Sequence, residues 1–156
     1  MPIPDFVLAL REKIGTMPLW LSGVTAVVIH DTRVLLVKRV DNGQWTPIAG
    51  IIEPGEEPAV AARREALEEA SVVIEPERLV WVHALEPIAY ENGDQARYLD
   101  LVFRCRYVSG EAAVGDDENT DVGWFERDDL PRLSDNHRRR IELAFRNAET
   151  TAFERE

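Results

Sequence analysis

Residues 50–72 read GIIEPGEEPAVAARREALEEASV. Pro58 suits the first turn of a helix, where its missing N–H has no helical partner to lose. Glu56 and Glu57 stand just ahead of it, near the positive end of the helix dipole. Ala59, Val60, Ala62, Ala66 and Leu67 carry the helix to about Ala70. Within it Glu65, Glu68 and Glu69 are three and four residues apart, a spacing that crowds carboxylates onto one face. In open solvent such pairs cost only a few tenths of a kcal/mol. In a cleft of effective dielectric ~20, two carboxylates ~5 Å apart repel by about 3 kcal/mol, and a cation is called for. Carboxylate oxygens select hard cations, Mg²⁺, Mn²⁺ or Ca²⁺, over Zn²⁺, and Mg²⁺ recruits phosphates. If the face lines a cleft, metal-assisted phosphate chemistry is therefore expected.

Outward from this stretch, strands dominate. Val24–Ile29 and Val34–Val37 are aliphatic runs of the kind buried on both faces, and the Asp31-Thr32 pair between them suggests a hairpin. Residues 41–50, DNGQWTPIAG, read as a loop. Leu79–Leu85 reads as a strand, and YENGD at 90–94 as a turn. In RYLDLVFRCRYV, residues 97–108, Leu99, Leu101, Phe103, Cys105 and Tyr107 alternate with Tyr98, Asp100, Val102, Arg104 and Arg106. That pattern predicts a half-covered antiparallel strand. VGWFERDDLP gives a last short strand and a turn. A short amphipathic helix is expected at 4–14, with Phe6, Leu8 and Ile14 apolar, and a final helix at about 134–149. Ser134 caps the latter, and Ile141, Ala144, Phe145 and Ala148 form its apolar stripe. The fold class expected is mixed α/β (α+β), a largely antiparallel sheet between helices.

The chain has 156 residues, the size of one domain spanning 1–156. Its formal net charge of −11 disfavours long nucleic acid as a partner. Small phosphorylated ligands stay open, because a metal and a few local cations can hold them. The His137-Arg138-Arg139-Arg140 run is expected to be a solvated helix face. Cys105 is the single cysteine and reads as a buried thiol. The N-terminus lacks signal-peptide features and no apolar run reaches membrane-spanning length, so a cytoplasmic protein with no membrane partner is expected.

The order Gly50, five residues, Glu56, seven residues, Arg64-Glu65, two residues, Glu68-Glu69 resembles the signature box of the Nudix hydrolases (MutT-like proteins), which cut pyrophosphate bonds in nucleoside diphosphates linked to another moiety. Ser71 stands where the family pattern has glycine, and Ala49 where it has the first glycine of the approach to the box. Serine costs on the order of 1 kcal/mol there if a left-handed backbone is needed. Trp45 leads into the box, and Asp121–Pro131 is similar to a late strand and turn of the family.

The resemblance implies an α/β/α sandwich and an enzyme in which Glu65, Glu68 and Glu69, with the Gly50 carbonyl, ligate Mg²⁺ or Mn²⁺. Glu56 would stand nearby as a supporting or further ligand, paired with Arg64. A further carboxylate on a later loop is expected at Glu118, with Asp116 and Asp117 as rivals. Metal-activated water would attack a phosphorus of the pyrophosphate, with Glu68 or Glu69 as general base.

Lys38 and Arg39 either bind phosphate or end an exposed strand. Tyr90 and Tyr98 are candidate base-stacking groups. Pro87 is similar to a cue of the ADP-ribose-cleaving branch and Tyr90 to one of the dinucleoside-polyphosphate branch. ADP-ribose or a nucleotide sugar is the expected substrate. Nucleoside triphosphates or dinucleoside polyphosphates are the alternatives, and a non-catalytic nucleotide-binding module is the reading of another class. The N-terminal segment and Trp20 are candidate homodimer contacts.

Overall fold

The computed structural model describes residues 3–156. β1 (Leu19–His30) and β2 (Arg33–Arg39) form the expected hairpin, with His30 opposite Arg33 and only Asp31 and Thr32 between them. Asp31 takes a φ of 56°, which a two-residue hairpin turn needs and a short polar side chain tolerates. β7 (Gln95–Ser109) runs parallel to β1, from Ala96 opposite Leu19 to Arg106 opposite Ile29. β5 (Val73–Ala84) lies antiparallel on the far side of β7, and β9 (Ala152–Phe153) closes that edge. β3 (Trp45–Thr46) and β8 (Asn119–Glu126) pair with β2. β4 (Ile48–Ile51) pairs with β1, and β6 (Ile88–Ala89) with β7.

Helices cover both faces of this mixed sheet. α2 (Pro58–Ala70) buries Ala61, Ala62, Ala66 and Ala70 against Val24, Ala26, Val28, Leu35, Ile48 and Cys105. Apart from Glu65 and Glu69, its buried residues are all alanine, which lets the helix backbone come close to β1 and β4. α3 (Asp135–Arg146) packs Ile141 and Ala144 on Val27, Ile29, Val80, Trp81 and Val102. The Ser134 side chain accepts from the His137 N–H, as the capping sequence predicts. α1 (Asp5–Ile14) sits at one end, with Val7 against Leu21 and Ala96.

Five sequence expectations are corrected. β7 is not half-covered: it is parallel to β1, antiparallel to β5 and packed on both faces. Its Asp100 is buried beneath α3, where Arg140 Nη2 lies 3.2 Å from Asp100 Oδ2 and His83 Nε2 lies 3.1 Å from it. Thr25 Oγ1 donates to the same carboxylate at 3.0 Å. The 137–140 run is therefore not wholly a solvated face, since Arg140 is only 5% exposed. The 41–50 stretch holds β3 and β4, whose partners lie in β2 and β1 and so are invisible to local pattern. In α1 the inward residue is Val7 while Leu8 is exposed, because residues two apart, such as Phe6 and Leu8, cannot share a helical face. Ala148 falls beyond α3, which stops at Asn147 in the left-handed conformation.

Candidate metal centre and catalytic site

α2 inverts the usual ordering of burial. Leu67 is 58% exposed, whereas Glu65 is fully buried and Glu69 is 2% exposed. Acidic side chains almost never go fully inside without partners, so the inversion marks this helix face as more than packing. Glu65 and Glu69, four residues apart, point inward with the alanines; Glu68 lies at the margin, with its side chain 44% exposed. The three boxed glutamates thus divide into two buried groups and one open to solvent.

Arg64 ties the loop ahead of α2 to the helix. Its Nε and Nη2 donate to the two oxygens of Glu56, each at 2.9 Å, and Nη2 also reaches the Ile51 carbonyl at 3.1 Å. Nη1 donates to Glu65 Oε1 at 2.7 Å and to Glu68 Oε2 at 3.3 Å. The hydrogen bonds from Arg64 hold the Glu56 carboxyl below the ordinary carboxylate range. The Glu56–Arg64 brace expected from the sequence is therefore present as a two-pronged pair, the strong geometry for arginine and carboxylate. Glu65 packs against Gly50, where any Cβ would overlap its carboxylate. That explains a glycine at the end of β4.

Glu69 meets the loop that follows β7. One carboxylate oxygen each from Glu69, Asp116 and Glu118 lie within 4.8 Å of one another, the only such trio of potential ligands among the described residues. Of the later-loop candidates, both Glu118 and its rival Asp116 approach the helix; Asp117 is not in the trio. Asp116 Oδ1 accepts from the Glu118 N–H at 3.2 Å and from Asn119 Nδ2 at 3.1 Å, which fixes the loop internally.

A divalent cation fits this donor set. Glu65 Oε2 and Glu69 Oε2 are buried without a hydrogen-bond partner, and a buried carboxylate oxygen in that state is costly. Without a cation, burial pushes the Glu69 carboxyl up to about 9, with Glu65 and Asp116 adding repulsion. Burial pushes Glu65 up to about 7 against the pull of Arg64. An all-oxygen set suits a hard divalent cation and not a nitrogen- and sulfur-seeking metal.

The candidate substrate residues are less closely grouped. Arg39 donates to Asp41 through Nε at 3.1 Å and lies 3.9 Å from Glu118, which sets a cation at the rim of the acidic trio. Lys38 is opposite Asp121 and Trp45 in the sheet register. The Tyr90 and Tyr98 hydroxyls are 2.9 Å apart across the 90–95 turn. Tyr98 is half-buried and packs against the cluster under α1, close to Gly23. Ser71, in place of the expected glycine, does adopt the left-handed conformation, with φ 57° and ψ 28°. Ala49 pairs with Thr25 as an ordinary strand residue. Sequence pattern did not reveal Asp116 as an equal of Glu118, and only the glycine at 115 hinted that this loop approaches another backbone closely.

The NUDIX domain family model matches residues 20–144 of the chain. A MutT-like protein from Streptomyces ambofaciens is 33% identical over 120 residues, spanning 76% of this chain and 72% of that protein. The NAD-capped RNA hydrolase NudC of Pseudomonas aeruginosa is 35% identical over 109 residues, 69% of this chain but only 36% of the relative. Among solved structures, a NUDIX hydrolase from Nitrosomonas europaea superposes with a TM-score of 0.66 at 26% identity, covering 82% of this chain and 90% of that one. The family model spans the hairpin, the braced acidic helix, the later acidic loop and most of α3, so the residues that build the site all lie within the match, and the chain belongs to the Nudix hydrolases.

Proposed function

We propose that this Nudix hydrolase, which acts on pyrophosphate bonds, takes a nucleoside diphosphate linked to a second moiety, ADP-ribose or a nucleotide sugar, as its substrate. The observation that carries the metal-dependent chemistry is the trio Glu69, Asp116 and Glu118 beside the buried, partner-short Glu65. Mg²⁺ or Mn²⁺ would be held there by Glu69, Asp116 and Glu118, with Glu65, Glu68 and the Gly50 carbonyl completing the set expected from the family. When bound, such an ion lowers the pKa of water and offsets charge on phosphate oxygens. Arg64 holds Glu56, Glu65 and Glu68 in fixed relation, so the ligands are preorganised by the loop ahead of α2. Glu68, the most open of the boxed glutamates, is the favoured general base, with Glu69 the alternative. Arg39 and Lys38 supply positive charge for the diphosphate, and Tyr90 and Tyr98 offer aromatic faces to the base.

NudC relatives, named for NAD-capped RNA, support a pyrophosphate flanked by a nucleoside. The chain spans little more than a third of that relative's length, so a small dinucleotide-like substrate is the part of that likeness adopted here. The test is a panel of ADP-ribose, nucleotide sugars, nucleoside triphosphates and dinucleoside polyphosphates with Mg²⁺ or Mn²⁺. Inorganic phosphate is measured with and without added phosphatase. Release only with phosphatase from ADP-ribose supports the reading; turnover confined to triphosphates would replace the substrate, and no turnover of anything would favour a binding module. Glu68→Gln and Glu69→Gln, if both near normal, would remove the base assignment. Trp20, 59% exposed, is the candidate dimer contact, checked by sedimentation of Trp20→Ser.

A further inference from the structure

The acidic trio joins two separate pieces of chain, and the joint depends on one residue with no side chain. The last carbonyls of a helix lack partners within it. At the exit of α2 two of them are taken by the loop after β7: the Ala113 N–H donates to the Ala70 carbonyl and the Gly115 N–H to the Glu69 carbonyl, each at 3.1 Å. Gly110, with φ 102°, packs on the Ser71 carbonyl at the same exit, and Tyr107 Oη holds the Gly110 carbonyl at 2.6 Å. The loop is also fixed beyond the trio, where the Val40 N–H donates to the Glu118 carbonyl at 2.8 Å.

Gly115 lies against the helix backbone itself. A Cβ there would fall 2.1 Å from the Glu68 carbonyl oxygen and 3.3 Å from Ser71 Oγ. Carbon and oxygen rest about 3.3 Å or more apart, so any side chain would drive the loop outward by about 1 Å. Gly115 does not have a positive φ, so the obstacle to a side chain is the contact with α2 and not a left-handed backbone. The next residue is Asp116 and Glu118 follows two further on. Mg²⁺ demands ligands at about 2.0–2.1 Å in near-ideal geometry, and a shift of 1 Å at the loop is enough to lose two of them.

We propose that Gly115 is a positioning residue for the metal centre: by letting the 110–118 loop dock on the last turn of α2, it sets Asp116 and Glu118 against Glu69 so that helix and loop hold one ion between them. The inference rests on the metal reading above. It also makes a claim the reading does not need, that docking at Gly115 and ligation by Asp116 are one event.

The experiment measures Mn²⁺ binding by electron paramagnetic resonance on the full chain, together with metal-free melting. The wild type is compared with Gly115→Ala, Asp116→Asn and the double variant. Gly115→Ala is expected to bind Mn²⁺ roughly tenfold more weakly or worse, and Asp116→Asn to add less than about twofold in that background although it costs far more alone. A role in stability alone would lower the metal-free melting point and leave Mn²⁺ affinity and the Asp116→Asn effect intact, which would overturn the proposal. Should Gly115→Ala not fold, Ala113→Pro removes one docking hydrogen bond at an exposed position, and unchanged Mn²⁺ affinity there would overturn it equally. Wild-type protein that binds no Mn²⁺ would instead sink the metal reading, and this inference with it.

Discussion

Asp100, beneath α3, and Glu69, on the inward side of α2, are 3% and 2% exposed. Their surroundings differ sharply. Asp100 is met by Arg140, His83 and Thr25, so its charge is balanced and its oxygens are occupied. Glu69 faces Asp116 and Glu118, and its Oε2 has no hydrogen-bond partner. A buried charge with its cation supplied by the fold acts as a brace. A buried charge surrounded by like charges is receptive to a cation from outside. The same residue chemistry, at the same depth, thus separates structure from function by partner alone.

The largest expected effect lies on the receptive side. Glu69→Gln should lower Mg²⁺-dependent turnover by about a thousandfold, while the metal-free protein melts no lower than its parent because a carboxyl whose ionised form is repelled is replaced by a neutral amide of the same shape. A variant that kept its rate would break the comparison. On the braced side, Asp100→Ala should cost about 3–5 kcal/mol in urea unfolding, the usual loss when a buried pair loses one partner. Saturating Mg²⁺ should leave that deficit unchanged; full stability of Asp100→Ala would mean that the network holds nothing.

Acidity sharpens the contrast because the two sides respond in opposite directions. Glu65 and Glu69, raised to about 7 and about 9 from an ordinary 4.5, keep protons in the metal-free folded chain that the unfolded chain has released. Metal-free stability should therefore fall as pH rises from 4.5 towards 9, and saturating Mg²⁺ should flatten the slope. His137, next to Arg140 on α3, is pushed down to about 4 from 6.5, with burial the main cause and Arg140 next. Here the unfolded chain takes up the proton first, so stability is present above 6.5 and is lost as pH falls towards 4. His137→Gln should remove roughly 1–3 kcal/mol of that acid-side loss; thermal melts across the pH range read both limbs. The smallest effect is expected at the helix exit, where Ser71→Gly relieves a left-handed serine and gains up to about 1 kcal/mol in the same melts.

Much of the receptive side is legible in residue order because it is local. Pro58 starts α2, the spacing of Glu65 and Glu69 sets one helical face, and Glu56 reaches Arg64 within a short loop. Even the strained exit at Ser71 follows from one residue. The braced side is not legible in that way. Asp100 looks like the polar half of an alternating strand, and Arg140 like one more arginine in a charged run. Their pairing depends on α3 lying across β7, a fact of tertiary packing. Asp116 is intermediate: its acidity is visible, but its approach to Glu69 depends on the contact at Gly115. β4 escaped notice for a related reason, since its partner, β1, pairs with it across more than twenty residues.

The parallel pairing of β1 with β7 has a consequence for the order of events during folding. Leu19 finds its partner in Ala96, so the middle of the sheet cannot close until most of the chain has been made. Until then β1 has only its hairpin with β2 and its short ladder with β4, and an isolated hairpin is marginal in water. The acidic helix emerges early; Glu65 can pack on Gly50 of β4 at once, whereas Glu69 meets its neighbours only when the loop after β7, with Asp116 and Glu118, has been made. Non-local pairing of this kind slows folding. Stopped-flow refolding followed by tryptophan fluorescence should accordingly show burial of Trp81, which lies opposite Val102 of β7, in the slow main phase and not in an early one.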